Sequence, residues 1–135
     1  NTSEIFPRSL GISPSMFGAD IHSIDVTNLN LDEPINIGSE YKFTIYHTPG
    51  HSEGSIVYYE PNKRILIPGD LVFIEGSFGR FDFPGGSLEK LQNSIEFVNG
   101  LEVTYLLPGH MGISDSGNSQ IALSNKMVHS IGNYY

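Results

Sequence analysis

Polar and apolar positions alternate most clearly over Tyr41-Lys42-Phe43-Thr44-Ile45-Tyr46-His47, where Lys42 and Thr44 lie opposite Phe43 and Ile45, and this pattern predicts a strand. Two further β-rich runs, Ser55–Tyr59 and Arg64–Ile67, flank Glu60-Pro61-Asn62-Lys63. Proline at the second position of that tetrapeptide presets φ for a type I turn, so the two runs are expected to form a hairpin. Leu71–Ile74 reads as a short buried strand or a strand-like lead into a loop, and Val103–Leu107 as a buried strand. Ile21–Val26 is a further strand candidate, followed by a turn region over Asn28–Pro34. Residues 1–20 hold no sustained period and are broken by Pro7, Gly11, Pro14 and Gly18, which suits an irregular segment with one short helical turn.

The period changes twice. Leu88, Leu91, Ile95 and Val98 recur at helical spacing, with Ser87 as N-cap and Gly100 as the stop. Leu123, Met127, Val128 and Ile131 predict a terminal helix over residues 119–131. Between strand and helix lies a loop, Glu75–Gly86, with four glycines, three phenylalanines and Arg80, too long and too aromatic to be a simple connector. Several antiparallel strands followed by a strand between two helices give an α/β (α+β layered) domain.

Composition then narrows the chemistry. The 135 residues suit one domain, and the absence of cysteine excludes disulfides, thiolate nucleophiles and thiolate metal sites. Fifteen acidic against seven basic residues give a formal charge of −8. Binding nucleic acid needs clustered lysine and arginine, and here only Lys63 and Arg64 are adjacent. No apolar run approaches the ~18 residues of a membrane span, and the first residues do not form a signal peptide, so a cytoplasmic location without membrane contact is expected.

Three β-rich runs end in Gly/Pro turns that carry polar residues: Thr48-Pro49-Gly50-His51, Pro68-Gly69-Asp70 and Pro108-Gly109-His110. A lone histidine after a strand is ordinarily structural or exposed, and a Pro-Gly pair is a common turn. Three turns of one character argue further: if these strand ends share one sheet edge, two imidazoles and a carboxylate converge. That donor set suits zinc, iron or manganese rather than calcium or magnesium, which prefer oxygen ligands. His47 lies four residues before His51, but in a strand followed by a turn the two share no helical face, so His47 is expected to pack or to support the site. His22 and His129 are expected to have no chemical role.

The ordered combination of His47-Thr48-Pro49-Gly50-His51-Ser52-Glu53-Gly54-Ser55, Gly69-Asp70-Leu71-Val72-Phe73, Gly79-Arg80-Phe81-Asp82-Phe83-Pro84-Gly85-Gly86 and Pro108-Gly109-His110 resembles the metallo-β-lactamase superfamily, in its glyoxalase II-like (hydroxyacylglutathione hydrolase-like) branch. The resemblance implies an αββα sandwich with a metal site at one edge. It implies that His51 and His110 are metal ligands and that Asp70 is the catalytic carboxylate bridging two ions. Two zinc ions per intact site are implied, with iron or manganese as alternatives. The position of Arg80 is implied to hold an anionic substrate tail, whereas Asp82 stands where glutathione-dependent members carry an aromatic residue.

The family's first ligand motif, H-x-H-x-D-H, has no counterpart here; Ile21-His22-Ser23-Ile24-Asp25 has one histidine and the wrong spacing. Residues 1–135 are therefore expected to form a single domain of this type without its N-terminal part, about 60 residues or two βα units. The function implied for the intact protein is hydrolysis of small anionic thioesters or esters, with metal-bound hydroxide as nucleophile, and the 135 residues alone are expected to be inactive. A mononuclear-iron persulfide dioxygenase, which shares the Gly-Arg-x-Asp loop, and a non-catalytic binding module are the alternatives. The expected partners are the small-molecule substrate and the upstream segment; a homo-oligomer is left open.

Overall fold

The computed structural model describes residues 25–132. The chain divides into two units, Asn1–Asn30 and Leu31–Tyr135, and the elements below all belong to the second. Most of the strand expected over Ile21–Val26, with His22, lies outside the described residues, as does the segment 1–20; Asp25 and Val26 are not in a strand.

Five strands form one sheet in the order β1-β2-β3-β4-β5: β1 (Ile35–Ile37), β2 (Tyr41–His47), β3 (Ile56–Glu60), β4 (Ile65–Gly69) and β5 (Tyr105–Pro108). β1 has no counterpart in the sequence reading, because three residues between Pro34 and Gly38 are too few to display an alternation. It pairs antiparallel with β2, Ile35 opposite Phe43 and Ile37 opposite Tyr41. The expected hairpin is present as β3 and β4, with Glu60 opposite Ile65. Leu71, Val72 and Phe73 are buried but make only an isolated bridge, Val72 to Phe78, so this run is a lead into the loop rather than a strand.

Strand direction decides where the chemistry falls. β2 and β4 are both antiparallel to β3 and so run the same way, and β5 is parallel to β4. The residues after β2, β4 and β5 therefore emerge at one sheet edge. At the end of β4, Pro68 has no N–H for the ladder, and the register shifts between Leu66 and Gly69 to set Gly69 opposite Pro108. The Gly109 N–H then donates to the Gly69 carbonyl at 2.9 Å, which holds the two turns side by side.

Helix α1 (Leu88–Asn99) supplies the parallel crossover between β4 and β5 and begins at the expected cap, where Ser87 Oγ accepts from the Lys90 N–H. Its Leu91, Ile95 and Val98 are buried in one cluster with Val57, Leu66 and Leu106 of the sheet and Ile121 and Val128 of helix α2 (Gly117–Ile131). Burying a side chain of this size contributes about 1.5–3 kcal/mol. On the sheet face opposite, Ile35, Ile37, Phe43, Tyr58 and Ile67 line an apolar groove.

The buried stripe of α2 differs from the expected one. Gly117, Ile121, Ser124 and Val128 face inward, whereas Leu123 and Met127 are exposed. The reason is hydrogen bonding: Ser124 Oγ lies 3.3 Å from the Phe73 carbonyl and 2.9 Å from that of Ser77, so a small polar residue sits where the periodicity suggests an apolar one. Among the described residues, no helix is long and apolar enough to cross a membrane.

Candidate metal centre

Residues 48–51 form the first turn at the shared edge. The Thr48 N–H donates to the Ser55 carbonyl at 2.8 Å, closing the loop, and His47 Nε2 donates to the Glu53 carbonyl at 2.7 Å. His47 thus braces the turn from outside, as its position in the sequence suggests. Gly50 has φ of 141°, and a Cβ there would fall 2.3 Å from Leu91 Cα. Only glycine allows both that conformation and that approach to α1. From the helix, Ser94 Oγ donates to the Pro49 carbonyl at 2.7 Å, and the Ser87 N–H donates to the Gly50 carbonyl at 2.8 Å. Nothing in the periodicity of α1 singles out Ser94, which reads as an ordinary helix residue.

The three turns bring their polar residues together. His51 Nε2 lies 3.6 Å from Asp70 Oδ2, and His110 Nε2 lies 3.3 Å from Asp70 Oδ1. Each carboxylate oxygen therefore faces a different imidazole, and the three groups form a row with Asp70 in the middle. The side chains are 29% exposed at His51, 36% at Asp70 and 69% at His110, so the row opens to solvent at the His110 end. The Phe73 ring meets the His110 ring edge-on at 5.8 Å.

The loop 79–86 closes the other side. His51 Nδ1 lies 2.7 Å from the Arg80 carbonyl. A carbonyl can only accept, so this contact places a proton on Nδ1 and turns Nε2 toward Asp70. Gly79 makes the approach possible: a Cβ there would sit 1.8 Å from the Asp70 carbonyl oxygen and 3.2 Å from His51 Nδ1. Arg80 itself binds Asp82 with two hydrogen bonds, Nε to Oδ1 at 2.8 Å and Nη2 to Oδ2 at 2.6 Å, and its guanidinium stacks 3.7 Å from the centre of the Phe83 ring. Hydrogen bonding from Arg80 pulls the Asp82 pKa down to about 2, and the same bond raises that of Arg80.

The donors fit a divalent transition metal in kind: neutral imidazole nitrogens, a carboxylate, and an outer-shell acceptor on His51. They do not enclose one. Among the described residues, no three histidine or acidic side chains form a set closed enough to hold an ion. His129 takes no part; its Nδ1 bonds the Asn125 carbonyl within α2.

The family model described as the metallo-beta-lactamase superfamily matches residues 5–110. The chain belongs to that superfamily. Among curated relatives, the probable metallo-hydrolase YqgX of Bacillus subtilis is 41% identical over 81 residues, covering 58% of this chain and 37% of that protein. The hydroxyacylglutathione hydrolase GloC of Haemophilus influenzae is 44% identical over 55 residues, covering 41% of this chain and 26% of its own length. The crystal structure of TTHA1623 in a di-iron-bound form superposes with a TM-score of 0.62 at 29% identity, over 78% of this chain and 52% of that one. The matched stretch thus spans about a third of the length of the curated relatives. Membership in this superfamily implies a divalent metal, and it accounts for a mixed sheet with its helices on one side.

Proposed function

We propose that His51, Asp70 and His110 supply part of a two-metal centre in a hydrolase of small anionic thioesters or esters. The observation that carries this reading is the row His51–Asp70–His110, in which the two oxygens of Asp70 face separate histidines. Zinc is the metal we assign, iron and manganese being accepted by the same donors. The ions, when bound, supply the Lewis acidity that activates water and polarises the substrate carbonyl.

This chain's own residues hold and orient. Asp70 would offer both carboxylate oxygens to the metal, Oδ2 beside His51 and Oδ1 beside His110, and His51 would offer Nε2 because its Nδ1 is engaged by the Arg80 carbonyl. Arg80 keeps its Nη1 edge for the anionic tail of the substrate, since Asp82 engages only Nε and Nη2. Further donors would be needed to complete the centre, since none among the described residues closes it. The apolar groove on the sheet face away from α1 and α2 supports the same reading, since a sheet covered on both faces is the middle of a four-layer αββα sandwich. GloC is a hydroxyacylglutathione hydrolase by name, which agrees with a thioester substrate.

The test is turnover of an acyl thioester by the full-length protein. Hydrolysis that is abolished by chelation, restored by zinc and lost in Asp70→Ala is the expected result. Full activity in a metal-free preparation, or oxygen consumption with a persulfide in place of thioester hydrolysis, would overturn it.

A further inference from the structure

The segment from Gly79 to Ser87 touches the first ligand turn at both of its ends. Near the start, the Arg80 carbonyl takes the Nδ1 proton of His51 at 2.7 Å. At the finish, the Ser87 N–H donates to the Gly50 carbonyl at 2.8 Å. Between these anchors the backbone is held by side chains rather than by a ladder. Arg80 and Asp82 form a two-point ion pair, and Phe83 lies under the guanidinium. The Gly86 N–H returns to the Phe83 carbonyl at 2.8 Å. A fork bonded to a carboxylate two residues away fixes the intervening peptide groups, because a planar guanidinium accepts a carboxylate side-on in one geometry only.

We infer that Asp82 is a positioning residue for His51, acting through the Arg80 carbonyl. By locking the Arg80–Phe81–Asp82 backbone, the ion pair holds that carbonyl where it keeps a proton on Nδ1 of His51, so that Nε2 is the nitrogen that would bind a metal. The inference rests on the reading of His51 as a metal ligand, but the tautomer belongs to the chain itself and can be observed without metal. Asp82 and Arg80 are both more than half exposed, so the pair contributes little to global stability and its effect is local.

The experiment uses the full-length protein labelled with ¹⁵N and stripped of metal, with the His51 tautomer read from long-range imidazole correlations. In the wild-type protein Nδ1 of His51 carries a proton bonded to the Arg80 carbonyl, whatever the state of Nε2 facing Asp70. In Asp82→Asn the Nε2–H form of His51 appears at an unchanged thermal midpoint, and zinc affinity, read by chelator competition, falls about 10-fold. Arg80→Lys keeps the charge but loses the fork and shifts the tautomer in the same direction; it is the deciding variant if Asp82→Asn lowers the midpoint. A His51 that remains Nδ1–H in both variants overturns the positioning role. If the wild-type protein takes up no zinc, the metal reading fails, while the tautomer still decides the role of Asp82.

Discussion

Ser94 donates its hydroxyl to the carbonyl of Pro49 across 2.7 Å, tying the middle of α1 to the turn that carries His51. The helix surface thereby fixes the position of a residue at the sheet edge. Ser94 is 7% exposed, so water cannot replace the lost donor if the hydroxyl is removed. Ser94→Ala is expected to destabilise the protein by about 1–3 kcal/mol, the cost of an unsatisfied buried carbonyl. Chemical denaturation read at equilibrium checks this, and an unchanged midpoint would count against it.

At Gly79 the loop passes directly against the backbone of Asp70. An added methyl group would collide with the Asp70 carbonyl oxygen at 1.8 Å, a backbone atom that no side-chain rotation can move away. Gly79→Ala is therefore expected to displace the loop from Asp70 and His51 and to cost about 1–3 kcal/mol. Thermal unfolding gives the cost, and histidine chemical shifts report the displacement; a variant with wild-type values in both would contradict the close contact.

Asp82 has a pKa of about 2 against an ordinary 3.8, because Arg80 hydrogen-bonds its ionised form. The folded state thus favours the carboxylate. The ion pair is fully present above the ordinary value and is lost as the pH falls through about 2. A ¹³C titration of the Asp82 carboxyl group should place its midpoint well below those of solvent-exposed aspartates. High salt should move that midpoint back toward the ordinary value, since the pair is exposed. A carboxyl that titrates near 3.8 would show that the pair does not form in solution.

The sheet and α1 were legible because their signals are local. Tyr41–His47 alternates, Pro61 marks the hairpin turn, and Ser87 caps the helix it precedes. The three turns that carry His51, Asp70 and His110 were legible for the same reason, each being a proline–glycine break after a β-rich run. What was hidden depends on contacts distant in sequence. Ser94 and Ser124 look like neutral helix positions until the carbonyls they satisfy, 45 and 47 residues away, come into place. The inward stripe of α2 was misread because two of its members are glycine and serine, chosen for closeness and hydrogen bonding rather than hydrophobicity. β1 was missed because its pairing with β2, not its three residues, makes it a strand. The acceptor for His51 was invisible in the same way, being a backbone carbonyl 29 residues further on.

In the proposed centre Asp70 would be shared by two metal ions. Metal content per chain, measured on the full-length protein and on Asp70→Asn by elemental analysis after dialysis, tests it most directly. Two divalent ions are expected in the wild-type protein, and at least one is expected to be lost in the variant. Equal metal content in the two proteins would contradict it.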